Sequence, residues 1–217
     1  MSDKILHVGD QLCDYYLSKL NEHGPTLAGV DWTKETDANL RYGLLHRSVK
    51  LTDASSVLDV GSGLGHFYRY LLEKDPLLLN RLGYQGVEPV AAMLSNCRNL
   101  NPGVSFELGR VENLSKFEAD IVMANGLFTV RGNSSETQMQ QFLDLGLEQM
   151  WKAARVGIVF NLMSDFVENR YDRLFYLSPA EVISRYSKKF GRHFMIFGDS
   201  KLFDIFYLWL KNPLSTD

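Results

Sequence analysis

Between Ser56 and Phe67 the chain reads Ser-Val-Leu-Asp-Val-Gly-Ser-Gly-Leu-Gly-His-Phe. An apolar run closes on Asp59 and Val60, glycines follow at 61, 63 and 65, and a new apolar pattern begins. Val57, Leu58 and Val60 read as a buried strand, while Phe67, Tyr70, Leu71 and Leu72 share one face of a helix. Glycines at such a junction let the backbone reverse sharply. They also let a ligand approach the amide groups at the helix N-terminus. A strand, a glycine turn and a helix in this order describe a site for a nucleoside-bearing ligand.

From residue 56 onward the rhythm repeats. Strands are expected at 56–60, 84–88, 103–108, 119–124 and 156–162, and helices at 64–74, 90–99 and 137–154, with a shorter turn near 112–116. Alternation of this kind implies a parallel sheet covered on both faces. Ser178-Pro179-Ala180-Glu181 marks a further helix start, with Pro in the first turn and Glu at the third helical position. Phe194–Phe197 and Asp204–Leu210, separated by a short loop containing Gly198-Asp199-Ser200-Lys201, must then form an antiparallel hairpin.

The first fifty residues are helical in character. Leu12, Tyr15, Tyr16 and Leu20 form a stripe that stops at Gly24-Pro25. Thr33 is a credible N-cap for a second helix carrying Leu40, Leu44, Leu45 and Val49. The expectation is one α/β domain over 1–217: a helical lid segment over 1–50 and a Rossmann-like core over 51–217. Its sheet has seven mostly parallel strands ending in the antiparallel hairpin.

At 217 residues the chain is long enough to bury about 70 % of the surface its unfolded form exposes. A net charge of −3 argues against an electrostatic nucleic-acid binder. Cys13 and Cys97 form no CxxC pair, and the five histidines show no metal-ligand spacing, so no metal is expected. Met1-Ser2-Asp3-Lys4 shows no apolar leader, and Ile205–Leu210 is too short to span a bilayer. The expected setting is the cytoplasm, without membrane contact. Asn113-Leu114-Ser115 and Asn133-Ser134-Ser135 are chance matches to glycosylation acceptors.

The dinucleotide fingerprint G-x-G-x-x-G does not fit, because the third glycine is Gly65 and His66 follows it. Asp59 would repel a pyrophosphate. It suits a sulfonium nearby, or an α-amino group donating a charge-assisted bond. Val57-Leu58-Asp59-Val60-Gly61-Ser62-Gly63-Leu64-Gly65 and Gly86-Val87-Glu88-Pro89 resemble the first two motifs of the class I S-adenosylmethionine-dependent methyltransferases. The likeness extends from residue 55 to about 210. Gly29–Trp32 and Leu40-Arg41-Tyr42 look similar to a bacterial group of small-molecule members.

The resemblance implies that Asp59, Gly61, Ser62, Gly63, Gly65, Glu88 and Pro89 hold S-adenosylmethionine, with S-adenosylhomocysteine as product. Glu88 is expected on the ribose hydroxyls, two charge-assisted bonds to one carboxylate. Gly109-Arg110-Val111-Glu112 stands at the third motif, where Arg110 replaces the usual acid. The Val111 backbone or the Glu112 side chain would then read the adenine edge, and Met93 would flank the ring or pack in the core. Trp32 and Arg41 are expected at the methionine end. Arg41 would pair with the methionine carboxylate, or else with Asp37 or Glu35.

Asn125, after the fourth motif, is placed beside the reacting centre, and His66 is either a base or a packed side chain. Tyr42, Arg131, Asp165, Arg170, Tyr171 and Arg173 are candidates for the acceptor. The three arginines point to an anionic one. Ala124-Asn125-Gly126-Leu127 lacks the Asn/Asp-Pro-Pro-Tyr tetrapeptide of amino-methylating nucleic-acid and glutamine enzymes. It also lacks the metal-binding acid of catechol-type enzymes. The expected reaction is metal-independent methylation of a hydroxyl, amine or carboxylate on a small metabolite. A non-catalytic cofactor-binding scaffold and an RNA methyltransferase are the other two readings.

Overall fold

The protein is described by a computed structural model over residues 3–214. Met1 and Ser2, which belong to the stretch read for a leader, lie outside the described residues. The chain opens with two helices, α1 (Asp3–His23) and α2 (Glu35–Leu51), joined through a 3₁₀ turn at Ala28–Val30. Strand β1 (Ser56–Val60) then leads to α3 (His66–Lys74) and α4 (Pro76–Arg81), and β2 (Gly83–Glu88) to α5 (Ala91–Leu100). Strands β3 (Ser105–Leu108) and β4 (Ala119–Ala124) precede α6 (Glu136–Ala153) and β5 (Ala154–Ser164). The chain closes with β6 (Tyr176–Leu177), α7 (Pro179–Phe190), β7 (Phe194–Phe197) and β8 (Asp204–Leu210).

The main path of the sheet runs β3-β2-β1-β4-β5-β8-β7, the seven strands expected. An eighth, β6, adds only two residue pairs to the end of β5. Strands β1 to β5 are parallel, and β8 runs antiparallel between β5 and β7. Alternate side chains divide between the two faces. Leu58, Val60, Val122, Ala124, Ile158, Phe160, Tyr207 and Trp209 enter one core with α6 and α7. Val57, Ile121, Met123, Val159, Phe206 and Leu208 enter the other with α2, α3 and α4. This period-2 division explains why the parallel strands read as unbroken apolar runs: both faces are covered.

The boundaries differ from the sequence reading in a few places. The N-cap of α2 is Lys34, with no side-chain cap bond, so Thr33 does not serve as the cap. Helix α4 was not expected, although its start is written in Asp75-Pro76. The Asp75 carboxylate accepts from the Leu78 amide at 3.1 Å, with Pro76 in the first turn. Strand β3 begins at Ser105, because Gly103 turns the chain with φ +83°.

Gly65 caps α3 at φ +74°, and an added Cβ would lie 2.6 Å from the Asn101 side-chain amide and 3.1 Å from Cys97 Sγ. It faces α5 and does not line the cavity described below, so it is a packing glycine. Gly65→Ala should cost about 2–4 kcal/mol, from left-handed strain plus overpacking, read as a lowered urea midpoint at unchanged slope.

Candidate functional site

The order β2-β1-β4 reverses the direction of chain progression between β1 and β4, and crevices form at the C-terminal ends of strands at such switch points. A cavity of about 450 Å³ lies there, bounded by the loop after β1, the ends of β2, β4 and β5, and the N-terminal helices. Gly61 and Gly63, with φ of +74° and +57°, turn the loop after β1 back on itself. The Gly61 amide donates to the Val87 carbonyl at 2.8 Å, which docks the loop on β2.

Glu88 ends β2 with its carboxylate divided between two backbone donors. The Gly63 amide donates to Oε2 and the Val90 amide to Oε1, both at 2.9 Å. One acid thereby ties the glycine loop to the start of α5. Burial pushes its carboxyl up to about 7, against the lowering effect of the two amide bonds. Asp59, raised to about 6 by burial, accepts from the Tyr84 hydroxyl at 2.5 Å and borders the same cavity. Ser62 lines the cavity, and its hydroxyl is buried beside Gly86 with no hydrogen-bond partner among the described residues.

Pro89, Met93, Val111 and Glu112 line one end. Met93 also packs with Leu20, Leu64 and Val90, so it is at once wall and core. One oxygen of the Glu112 carboxylate, Oε1, faces Arg110 at 3.3 Å, which leaves Oε2 able to accept. Arg110 in turn reaches Asp10 of α1 at 2.8 Å. Gly9 makes this approach possible, since a Cβ there would sit 2.2 Å from Glu112 Oε1. The arginine in place of the usual acid thus ties the third motif to the N-terminal helix.

At the other end, Arg41 forms a bidentate pair with Asp204, at 2.9 and 2.7 Å. Neither Asp37 nor Glu35 pairs with it through a carboxylate; Asp37 contributes only its carbonyl. The guanidinium lies 4.4 Å from the Trp32 ring centroid. Trp32 packs over Gly126, where an added Cβ would be 3.2 Å from the indole. Asn161 completes a ring: its side-chain oxygen accepts from the Gly126 amide at 2.7 Å, and its Nδ2 donates to Asp204 at 2.6 Å. Sequence reasoning missed Asp204 and Asn161. The local signals were Asn161 inside the apolar run of β5 and Asp204 at the head of β8.

Asn125 lines the cavity with its side-chain oxygen buried and without a hydrogen-bond partner among the described residues. His66 also lines it, held down to about 4 by burial and by Arg69, hence neutral at pH 7. Tyr42 borders the cavity but packs mainly against Phe67 and Tyr70. Among the acceptor candidates, only Tyr171 and Arg173 join it at the wall. Arg131 is turned away, bonded to the carbonyls of Asp172 and Ser134 at 2.6 and 3.0 Å. Arg170 lies over Tyr176 and 4.0 Å from Asp165, and neither Arg170 nor Asp165 reaches the cavity. Arg173 is paired with Asp31 at 2.7 Å.

No known protein-family profile matches the chain, and no curated protein matches it in sequence. Solved structures do match it in fold. Magnesium protoporphyrin IX methyltransferase from Synechocystis PCC 6803, with bound S-adenosylmethionine, is 12 % identical at a TM-score of 0.63, covering 98 % of this chain and 99 % of that one. The plantazolicin methyltransferase BpumL, in complex with a pentazolic analogue and S-adenosylhomocysteine, is 14 % identical at 0.63, covering 98 % and 100 %. An amino pentose methyltransferase of calicheamicin biosynthesis from Micromonospora echinaspora is 14 % identical at 0.58, covering 83 % and 93 %. The chain has the fold of the class I S-adenosylmethionine-dependent methyltransferases.

Asp204→Ala should cost about 3–5 kcal/mol in chemical denaturation, because it strands a buried guanidinium; Arg41→Met with Asp204→Leu should cost less than the single change. Glu88 provides a pH test. A carboxyl whose folded pKa is raised from 4.5 to about 7 stabilises the fold fully below pH 4.5, and that contribution is lost as pH rises through 7. His66 and Asp59 titrate in overlapping ranges, so the difference between variants is the readout. Without ligand, Glu88→Gln should gain stability relative to wild type between pH 4.5 and 7, and level off above it.

Proposed function

We propose that this protein is an S-adenosylmethionine-dependent methyltransferase acting on a small molecule. The observation that carries the reading is Glu88, which ends β2 at the cavity while spanning the glycine loop and the start of α5. Each carboxylate oxygen accepts one amide and keeps a lone pair for one of two vicinal ribose hydroxyls. The donor's three parts fit the cavity in order. An adenine would lie between Met93 and the Val111 region, and the ribose on Glu88. The sulfonium end would reach Asp59, whose anionic form opposes that positive charge. Bound structures of fold neighbours hold this molecule or its product, and those neighbours are named as methyltransferases of magnesium protoporphyrin IX, of plantazolicin and of an amino pentose.

When bound, the donor supplies an electrophilic methyl carbon. Asp59, Gly63 and Glu88 would hold the donor, and a hydroxyl or amine acceptor would give up its proton on methylation. The chain's own share is positioning and exclusion of water. Trp32, Arg41 and residues of the two N-terminal helices line the cavity together with Asn125, and Asn161 holds the Gly126 amide beside it. Asn125 is assigned to alignment of the acceptor. Neutral His66 is assigned to the cavity wall, since a group with so low a pKa is a poor base at pH 7.

Calorimetry with S-adenosylhomocysteine should show binding to wild type and at least a tenfold loss in Glu88→Ala. Wild-type affinity in that variant would overturn the ribose assignment. Incubation with S-adenosylmethionine and a metabolite extract should release S-adenosylhomocysteine, whereas a non-catalytic binder would release none.

A further inference from the structure

Resting on the methyl-transfer reading, we infer that the acceptor is a molecule without negative charge, built on a flat apolar body and presenting a hydroxyl or amine to the methyl group. Two independent features of the cavity lead there, one electrostatic and one of shape.

The first is that the cavity offers little free positive charge. Its wall carries six carboxylates (Asp31, Asp37, Asp59, Glu88, Glu112 and Asp204) against four cations (Lys34, Arg41, Arg110 and Arg173). Three of those cations are already committed: Arg41 to Asp204 at 2.7 Å, Arg110 to Asp10 at 2.8 Å and Arg173 to Asp31 at 2.7 Å. Lys34 is the one lining cation without an ion pair among the described residues. It stands exposed at the start of α2, near Asp37, which likewise has no cationic partner. An anionic acceptor would have to shed water against this wall without a guanidinium to receive it, which is costly. The arginines that the sequence suggested for an anion, Arg131 and Arg170, point elsewhere.

The second feature is aromatic surface that the fold does not use. Trp32, Leu127, Val130, Met163 and Leu174 supply apolar wall. Phe203 and Tyr171 line the same cavity from two different loops while remaining 65 % and 63 % exposed. Their backbones are anchored, so loose chain does not account for that exposure. The Phe203 carbonyl accepts from the Ser164 amide, and the Tyr171 carbonyl from the Leu174 amide, both at 2.9 Å. Large side chains held in water at a cavity mouth gain by covering a flat apolar ligand, and their ring faces also attract a cation. A hydroxyl or amine carried by such a body meets a wall of compatible charge; a carboxylate does not.

The test uses the full chain saturated with S-adenosylhomocysteine and three matched probes: 1-naphthylmethanol, 1-naphthylmethylamine and 1-naphthoate. Calorimetry should show the alcohol and the amine binding at least tenfold more tightly than the carboxylate. In Phe203→Ser with Tyr171→Ser, that binding should fall at least tenfold, while the affinity for S-adenosylhomocysteine stays unchanged and so reports an intact fold. Equal or tighter binding of 1-naphthoate would overturn the inference. So would naphthyl binding indifferent to both substitutions, or no naphthyl binding to the loaded protein. Failure of S-adenosylhomocysteine itself to bind wild type would instead overturn the methyl-transfer reading beneath it.

Discussion

Arg41 and Asp204 are separated by 163 residues, yet they meet in a buried, two-pronged ion pair that holds the N-terminal helices on the sheet. A guanidinium and a carboxylate removed from water are tolerable only when every donor and lone pair is satisfied. Here the Asp37 carbonyl accepts a third N–H of Arg41, and Asn161 donates a further bond to Asp204. The Asn161 side-chain oxygen reaches the Gly126 amide just beyond β4, and Trp32 lies over the guanidinium from the N-terminal segment. The wall of the cavity, the turn beside Asn125 and the seating of the N-terminal helices therefore share one polar network. A second tie, from Asp10 through Arg110 to Glu112, holds α1 at the opposite end of the cavity.

Charge inside the cavity follows a consistent pattern. Buried carboxylates without a cationic partner, Glu88 and Asp59, face the region assigned to a cationic donor, and burial raises both toward neutral pH. Opposing charge on a ligand would recover part of that desolvation cost. Carboxylates elsewhere on the wall are mostly matched by arginines, so they contribute architecture more than attraction.

Much of the core was legible in the sequence because its signals are local. Apolar runs of strand length, breakers such as Gly24-Pro25, and the glycines after β1 each constrain the backbone within a few residues. All seven expected strands and the terminal hairpin are present. The misses have local causes too: Asp75-Pro76 opened a short helix amid leucines with no amphipathic stripe, and β6 has too few residues to carry a period. Of the residues proposed for the site, those on the glycine loop, the end of β2 and the third motif gather at one cavity, Gly65 excepted.

Long-range pairing was not legible. Three arginines in the right part of the chain suggested an anion site, but a guanidinium reads the same in sequence whether it faces a ligand or a carbonyl. Only packing shows Arg131 bonded to Asp172 and Arg173 to Asp31. The sequence by itself determined the strand–turn–helix at residues 56–74, the acid at the end of β2 and the order of the strands' apolar runs. These depend on backbone periodicity and on the few residues adjacent to a turn. The tertiary structure decided which charges are free, what holds the N-terminal helices and what the far end of the cavity presents. Those properties depend on which distant side chains share a buried volume, and burial sets the strength of every charge within it.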